Sequence, residues 1–120
     1  MGDLLDDDAL TEAWEATLQR SVSHEEHVRV ARVLVIRHGR DEARRRLVDG
    51  TLRNCIGMNV PDRFDKDLTA RWSDRIADCV EAEPGDSFEA FAARHSELLD
   101  SGLLGPPSWK REISDLPRPR

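Results

Sequence analysis

The stretch Ser23-His24-Glu25-Glu26-His27-Val28-Arg29-Val30-Ala31-Arg32-Val33-Leu34-Val35-Ile36-Arg37-His38-Gly39 decides how the chain is read. Ser23 and Glu26 stand three apart, as the two members of a capping box do, so a helix is predicted to begin at His24. Gly39 supplies the residue that commonly closes a helix, so this one runs to about His38. At about 100° per residue, His24, His27, Val28, Ala31, Leu34, Val35 and His38 share one arc, while Glu25, Arg29 and Arg32 point away. Val33 and Ile36 lie on the opposite side, so this helix is covered on both flanks and is the central one.

Outward from it, the same 3.6-residue period recurs. A first helix is predicted from about Asp8, its cap, to Gln19, with Leu10, Ala13, Trp14, Thr17 and Leu18 on one stripe. Asp41 is expected to cap a third helix reaching about Ile56, with Ala43, Leu47, Val48, Leu52, Cys55 and Ile56 inward. Gly57 and Asn59-Val60-Pro61 then make a turn. A fourth helix, about Arg63 to Ala82, carries Phe64, Leu68, Trp72, Ile76, Cys79 and Val80. After Glu83-Pro84-Gly85, the box Asp86-Ser87-Phe88-Glu89 opens a fifth helix with Phe88, Phe91, Ala92, His95, Leu98 and Leu99 on one face, ended by Gly102. Gly105-Pro106-Pro107 forbids continuation. The expectation is an all-α, compact bundle of four to five helices over residues 1–105, followed by an irregular Pro-rich C-terminal tail over 106–120 that Trp109 and Ile113 could dock.

At 120 residues one core is all the length allows. Charged residues make up 35% and apolar ones 38%, but the periodic placement of the latter separates this chain from a disordered polyampholyte. No apolar run approaches a membrane span, and Met1 to Asp8 is acidic where a secretion signal is basic, which points to a cytoplasmic protein outside the membrane. The net charge of −6 opposes generic nucleic-acid binding. It is unevenly spread: residues 28–53 hold eight Arg against three acids. The run Arg44-Arg45-Arg46 follows a helix and a short turn, superficially a helix-turn-helix order, but Leu47 and Val48 leave a normal buried stripe, and a solvated basic face explains it as well.

Cys55 and Cys79 both face inward, yet in antiparallel neighbours they would stand about 22 Å apart at 1.5 Å per residue, too far for a disulfide. They are read as two buried structural thiols. Neither a phosphate-binding glycine loop nor a nucleophile-elbow motif is present.

The chemistry concentrates on His24 and His27, whose rings share a face of the first turn and can converge on one ion or ligand. The positive helix end favours neutral imidazole there, the form that ligates metals or accepts protons. The HxxH order is not the HExxH of zinc proteases. Asp65 is the expected third member of a site, with Asp67 beside it; both also suit a helix N-terminus without any ligand role. Two imidazoles and a carboxylate suit iron, and could hold zinc or manganese. Trp14 and Trp72 are expected as apolar walls, and Arg29 or Arg63 as partners of an anionic ligand. His38 is read as a C-terminal dipole partner and His95 as a packed histidine.

Across Ser23 to Ala31 the sequence resembles a group of small, largely uncharacterised bacterial helical proteins with an HxxHLRxA signature. The likeness continues through Val60-Pro61-Asp62-Arg63-Phe64-Asp65-Lys66-Asp67-Leu68-Thr69, similar to that group's VPGKYHETLT, and through Phe91 to Leu104, similar to FxxxHPELLDKxLL. It covers most of residues 10–104. Where the group has a histidine before the fourth helix this chain has Asp65, so the resemblance implies a site of His24, His27 and Asp65.

Two functions follow as expectations. In the first the chain is a small enzyme or ligand-binding protein with a His24/His27-centred pocket, performing metal-assisted or acid/base chemistry on a small metabolite, for which specialised metabolism is a natural setting. In the second it is a non-catalytic interaction or regulatory protein using Arg44, Arg45, Arg46 and Arg53. A homodimer is compatible with either.

Overall fold

A computed structural model describes residues 6–16 and 20–107. Among them the chain forms five α-helices and no strand: α1 (Asp7–Glu15), α2 (His24–His38), α3 (Arg40–Gly57), α4 (Lys66–Ala82) and α5 (Phe88–Arg94), with 3₁₀ turns at Pro61–Arg63 and Ser96–Leu99. The all-α bundle is therefore observed. The end of the first helix expected at 17–19, and the tail with Trp109 and Ile113, lie outside the described residues.

The capping box of α2 is formed in full: Ser23 Oγ accepts from the Glu26 amide at 3.1 Å and Glu26 accepts from the Ser23 amide at 3.0 Å. α2 packs against α1, α3, α4 and the Ser96–Leu99 turn, which makes it the central helix. Val28, Val30, Ala31, Val33, Leu34 and Val35 are all buried with Leu10, Trp14, Ala43, Leu47, Ile76, Ala77, Phe88, Phe91 and Leu98. Ile36, expected under cover, is 52% exposed. Arg32, expected to point outward, is only 6% exposed, because the loop after α4 folds over it.

Four boundaries differ from expectation for local reasons. Asp6 rather than Asp8 caps α1, its carboxylate accepting from the Ala9 amide at 2.7 Å. α3 begins at Arg40 with no side-chain cap, since Gly39 at φ 84° turns the chain directly out of α2. α4 begins at Lys66 because Pro61–Arg63 forms its own 3₁₀ turn and Asp65 is the cap. α5 stops at Arg94, as His95 leaves helical geometry with φ −130° and ψ 50°.

The inward stripe of α3 is also rotated from the expected one. It runs through Ala43, Leu47, Gly50 and Asn54, leaving Cys55 half-buried and Ile56 exposed. The reason lies at the N-terminal end: Trp14 of α1 seats against Gly50, and Asn54 donates to the carbonyl of Arg20, just before α2, at 2.9 Å. Both cysteines are free. Among the described residues no helix is long and apolar enough to cross a membrane.

Candidate functional site

A cavity of about 150 Å³ lies where the start of α2 meets the middle of α3 and the first half of α4. α2 contributes His24, His27 and Val28, α3 contributes Leu47 and Thr51, and α4 contributes Leu68, Thr69, Trp72 and Ile76. The spacing of three brings both imidazoles to one cavity, as helix geometry requires.

Each ring is held twice. His24 stacks edge-on against Trp72, with centroids 4.6 Å apart, and its Nε2 lies 2.7 Å from the Leu98 carbonyl oxygen. His27 meets Trp14 edge-on at 5.2 Å, and its Nδ1 lies 3.1 Å from the Ser23 carbonyl oxygen. A carbonyl only accepts, so each of these nitrogens carries the hydrogen and the opposite nitrogen of each neutral ring keeps its lone pair. Those lone pairs are Nδ1 of His24 and Nε2 of His27. The two threonines follow the same pattern. Thr51 donates to the Leu47 carbonyl at 2.7 Å and Thr69 to the Asp65 carbonyl at 2.8 Å, leaving oxygen lone pairs as their remaining capacity.

Of the residues expected at the site, His24, His27 and Trp72 line the cavity, and Trp14 supports it from behind His27. Asp65 does not join the imidazoles. Its carboxylate caps α4, accepting from the Leu68 amide at 3.0 Å, and among the described residues no metal-type cluster contains His24 and His27. Asp67 pairs with Arg71 at 3.1 Å. Arg29 is turned to Asp7, with Nε 2.7 Å from the carboxylate, and over the Phe88 ring; Arg63 sits on the exposed 3₁₀ turn; neither lines the cavity. The anion-favouring start of α2 is already occupied by the Glu26 carboxylate.

The sequence does not mark out Thr51 and Thr69. Their signal is a hydroxyl four residues after an inward or capping position, which is too common to stand out.

Three of the four arginines on the basic face of α3 are paired with acids. Arg44 pairs with Asp41 and Asp74, Arg45 with Glu42 and Asp49, Arg46 with Glu15 and Glu42, and Arg53 reaches the Glu15 carbonyl at 3.5 Å. Such exposed pairs add little stability, but they cancel the potential that an acidic partner would need. No family model, curated protein or solved structure matches the chain.

Burial drives the His27 pKa down to about 4, with His24 adding to the effect and the bond to the Ser23 carbonyl and the charge of Glu26 opposing it. The unfolded ring titrates near 6.5 and so binds more protons than the folded one between these values. Stability is therefore full above about pH 6.5 and declines as pH falls toward 4, by up to about 3 kcal/mol at 1.36 kcal/mol per unit. Glu26, held near 2 chiefly by its hydrogen bond to Arg20, loses its contribution only below about 4.5. Urea midpoints should thus fall across pH 6.5 to 4.5 in the wild type and stay level in His27→Gln. A level wild-type profile would show the imidazole to be solvated.

Proposed function

We propose that the chain is a small-molecule-binding protein whose cavity takes a largely apolar ligand carrying a hydrogen-bond donor. The observation that carries this reading is the uniform polarity of the cavity: both histidines and both threonines spend their hydrogens on backbone carbonyls and offer lone pairs. A ligand that supplies a hydroxyl or N–H satisfies such a wall, while an anion meets no lining cation and would face four acceptors.

The volume suits a ligand about the size of a benzene ring, which a 150 Å³ cavity in another protein is known to admit. Val28, Leu47, Leu68, Trp72 and Ile76 provide the apolar remainder. His27 is a weak base with its pKa near 4, which suits it to accept a hydrogen bond at neutral pH more than to remove a proton. The two-histidine metal reading has less support, because Asp65 is committed to its cap.

Phenol with benzene as its control tests the reading. Phenol should perturb the imidazole resonances of His24 and His27 and bind at least about tenfold more tightly than benzene, the preference expected of one good hydrogen bond. Thr51→Val and His27→Leu, which keep volume and remove acceptors, should narrow that preference. Equal affinity for the two probes, or a preference untouched by either variant, would overturn the reading.

A further inference from the structure

Away from that cavity, Sγ of Cys79, a ring nitrogen of His95 and a carboxylate oxygen of Glu97 all lie within 4.8 Å of one another. The three come from different elements: α4, the residue that ends α5, and the Ser96–Leu99 turn. On an uninterrupted helix His95 and Glu97 would diverge by about 200°. They converge here because His95 leaves helical geometry, so the break in α5 is what builds the cluster.

We propose that Cys79, His95 and Glu97 form a binding site for a thiophilic divalent cation, Zn²⁺ being the ion that best fits a thiolate, an imidazole and a carboxylate together. Two alternatives fit less well. A nucleophile triad needs one imidazole nitrogen for the thiol and the other for the carboxylate. His95 Nε2 is 3.0 Å from the Glu83 carbonyl and must donate to it, so only Nδ1 is left for either partner. That same bond is the outer support a metal-bound imidazole usually has, fixing its tautomer and aim. A purely structural thiol, for its part, leaves Glu97 unexplained. Among the described residues its carboxylate has no hydrogen-bond or ion-pair partner, yet it is near enough to Cys79 to act on it.

Without a cation, burial and then Glu97 push the Cys79 thiol up, with Asp78 adding to this and Arg75 opposing it. A dication reverses that balance. Coordination forms the metal–sulfur bond and releases the thiol proton to solvent, with no change of oxidation state. Three protein ligands leave the fourth tetrahedral position to water or a ligand atom.

Co²⁺ is the probe, because a cobalt–thiolate bond gives a near-ultraviolet charge-transfer absorption that oxygen and nitrogen ligands do not. The full chain, purified without a histidine tag and stripped with a chelator, should develop this band on titration, saturate at a single equivalent, and lose it to added Zn²⁺. Cys55→Ser and His38→Ala should leave the titration unchanged, and Cys79→Ser should abolish it. His95→Ala and Glu97→Gln should each weaken binding at least about tenfold. The latter pair carries the test if Cys79→Ser does not fold by circular dichroism. Absence of the band in the wild type, its survival in folded Cys79→Ser, or affinity unchanged in both His95→Ala and Glu97→Gln would overturn the proposal.

Discussion

Gly50→Ala should destabilise the protein by about 2 kcal/mol or more, although alanine in a helix interior ordinarily gains about 1 kcal/mol over glycine. A Cβ at position 50 would stand 2.4 Å from Nε1 and 2.7 Å from Cε2 of Trp14. Trp14 is 1% exposed and cannot step aside without disturbing Leu10 and the face of α2. α1 is only nine residues long, below the length at which a helix holds itself together in water, so it depends on this seat. The partner substitution, Trp14→Phe, removes the atoms that would clash, together with a buried indole N–H that has no acceptor. It leaves a void of its own, so it should also destabilise. In the Trp14→Phe background, however, Gly50→Ala should revert toward its ordinary gain. A double-mutant cycle of urea midpoints reads the coupling directly. Additive effects would mean that Trp14 does not rest on α3.

Arg32→Met should cost about 3 kcal/mol, and Arg32→Lys nearly as much. The Arg32 guanidinium donates from Nε to the Pro84 carbonyl and from Nη2 to the Gly85 carbonyl, each at 3.0 Å. It also lies 3.7 Å from Asp7 and 5.5 Å from the centre of the Phe91 ring. Methionine fills much of the volume but strands two carbonyls, while Asp7 keeps its bond to Arg29. Lysine keeps the charge without the fork that reaches both oxygens. Because Arg32 holds both Pro84 and Gly85 of the loop Glu83–Asp86, the loss should appear first as faster amide exchange in α5, before global unfolding. Uniform exchange throughout the molecule, or a loss below about 1 kcal/mol in both variants, would show that the loop is held by other contacts.

Periodicity misplaces Arg32 and leaves Gly50 unread, for different reasons. Arg32 reads as solvated because a helical wheel knows only its own helix. Its burial is decided by a loop some fifty residues later in the chain. Gly50 does carry a signal, since a glycine in mid-helix is costly unless something must come close, but nothing in the sequence says that Trp14 is what comes close. The break at His95 is the least legible feature: His-Ser-Glu-Leu-Leu contains no breaker, and the chain leaves the helix where tertiary bonds from the His95 ring to the Glu83 carbonyl and from the His24 ring to the Leu98 carbonyl take over. α2, by contrast, was readable almost to the residue because its box, its stripe and its closing glycine are all local. The histidine pair was legible for the same reason. Their tautomers were not, being set by carbonyls outside the periodic pattern.

The bond from His24 to the Leu98 carbonyl joins groups 74 residues apart, and that separation has a meaning during synthesis. A chain leaves the ribosome N-terminus first, and its elements begin to assemble in that order. The walls of the cavity come from residues 24 to 76, so they can gather while residue 98 is still inside the ribosomal exit tunnel. At that stage His24 lacks the acceptor that selects its tautomer, and its proton is free to sit on either nitrogen. A nascent protein therefore passes through a period in which the pocket has its shape but not its chemical polarity. The acceptor pattern of the pocket is completed by one of the last turns of the bundle to leave the ribosome.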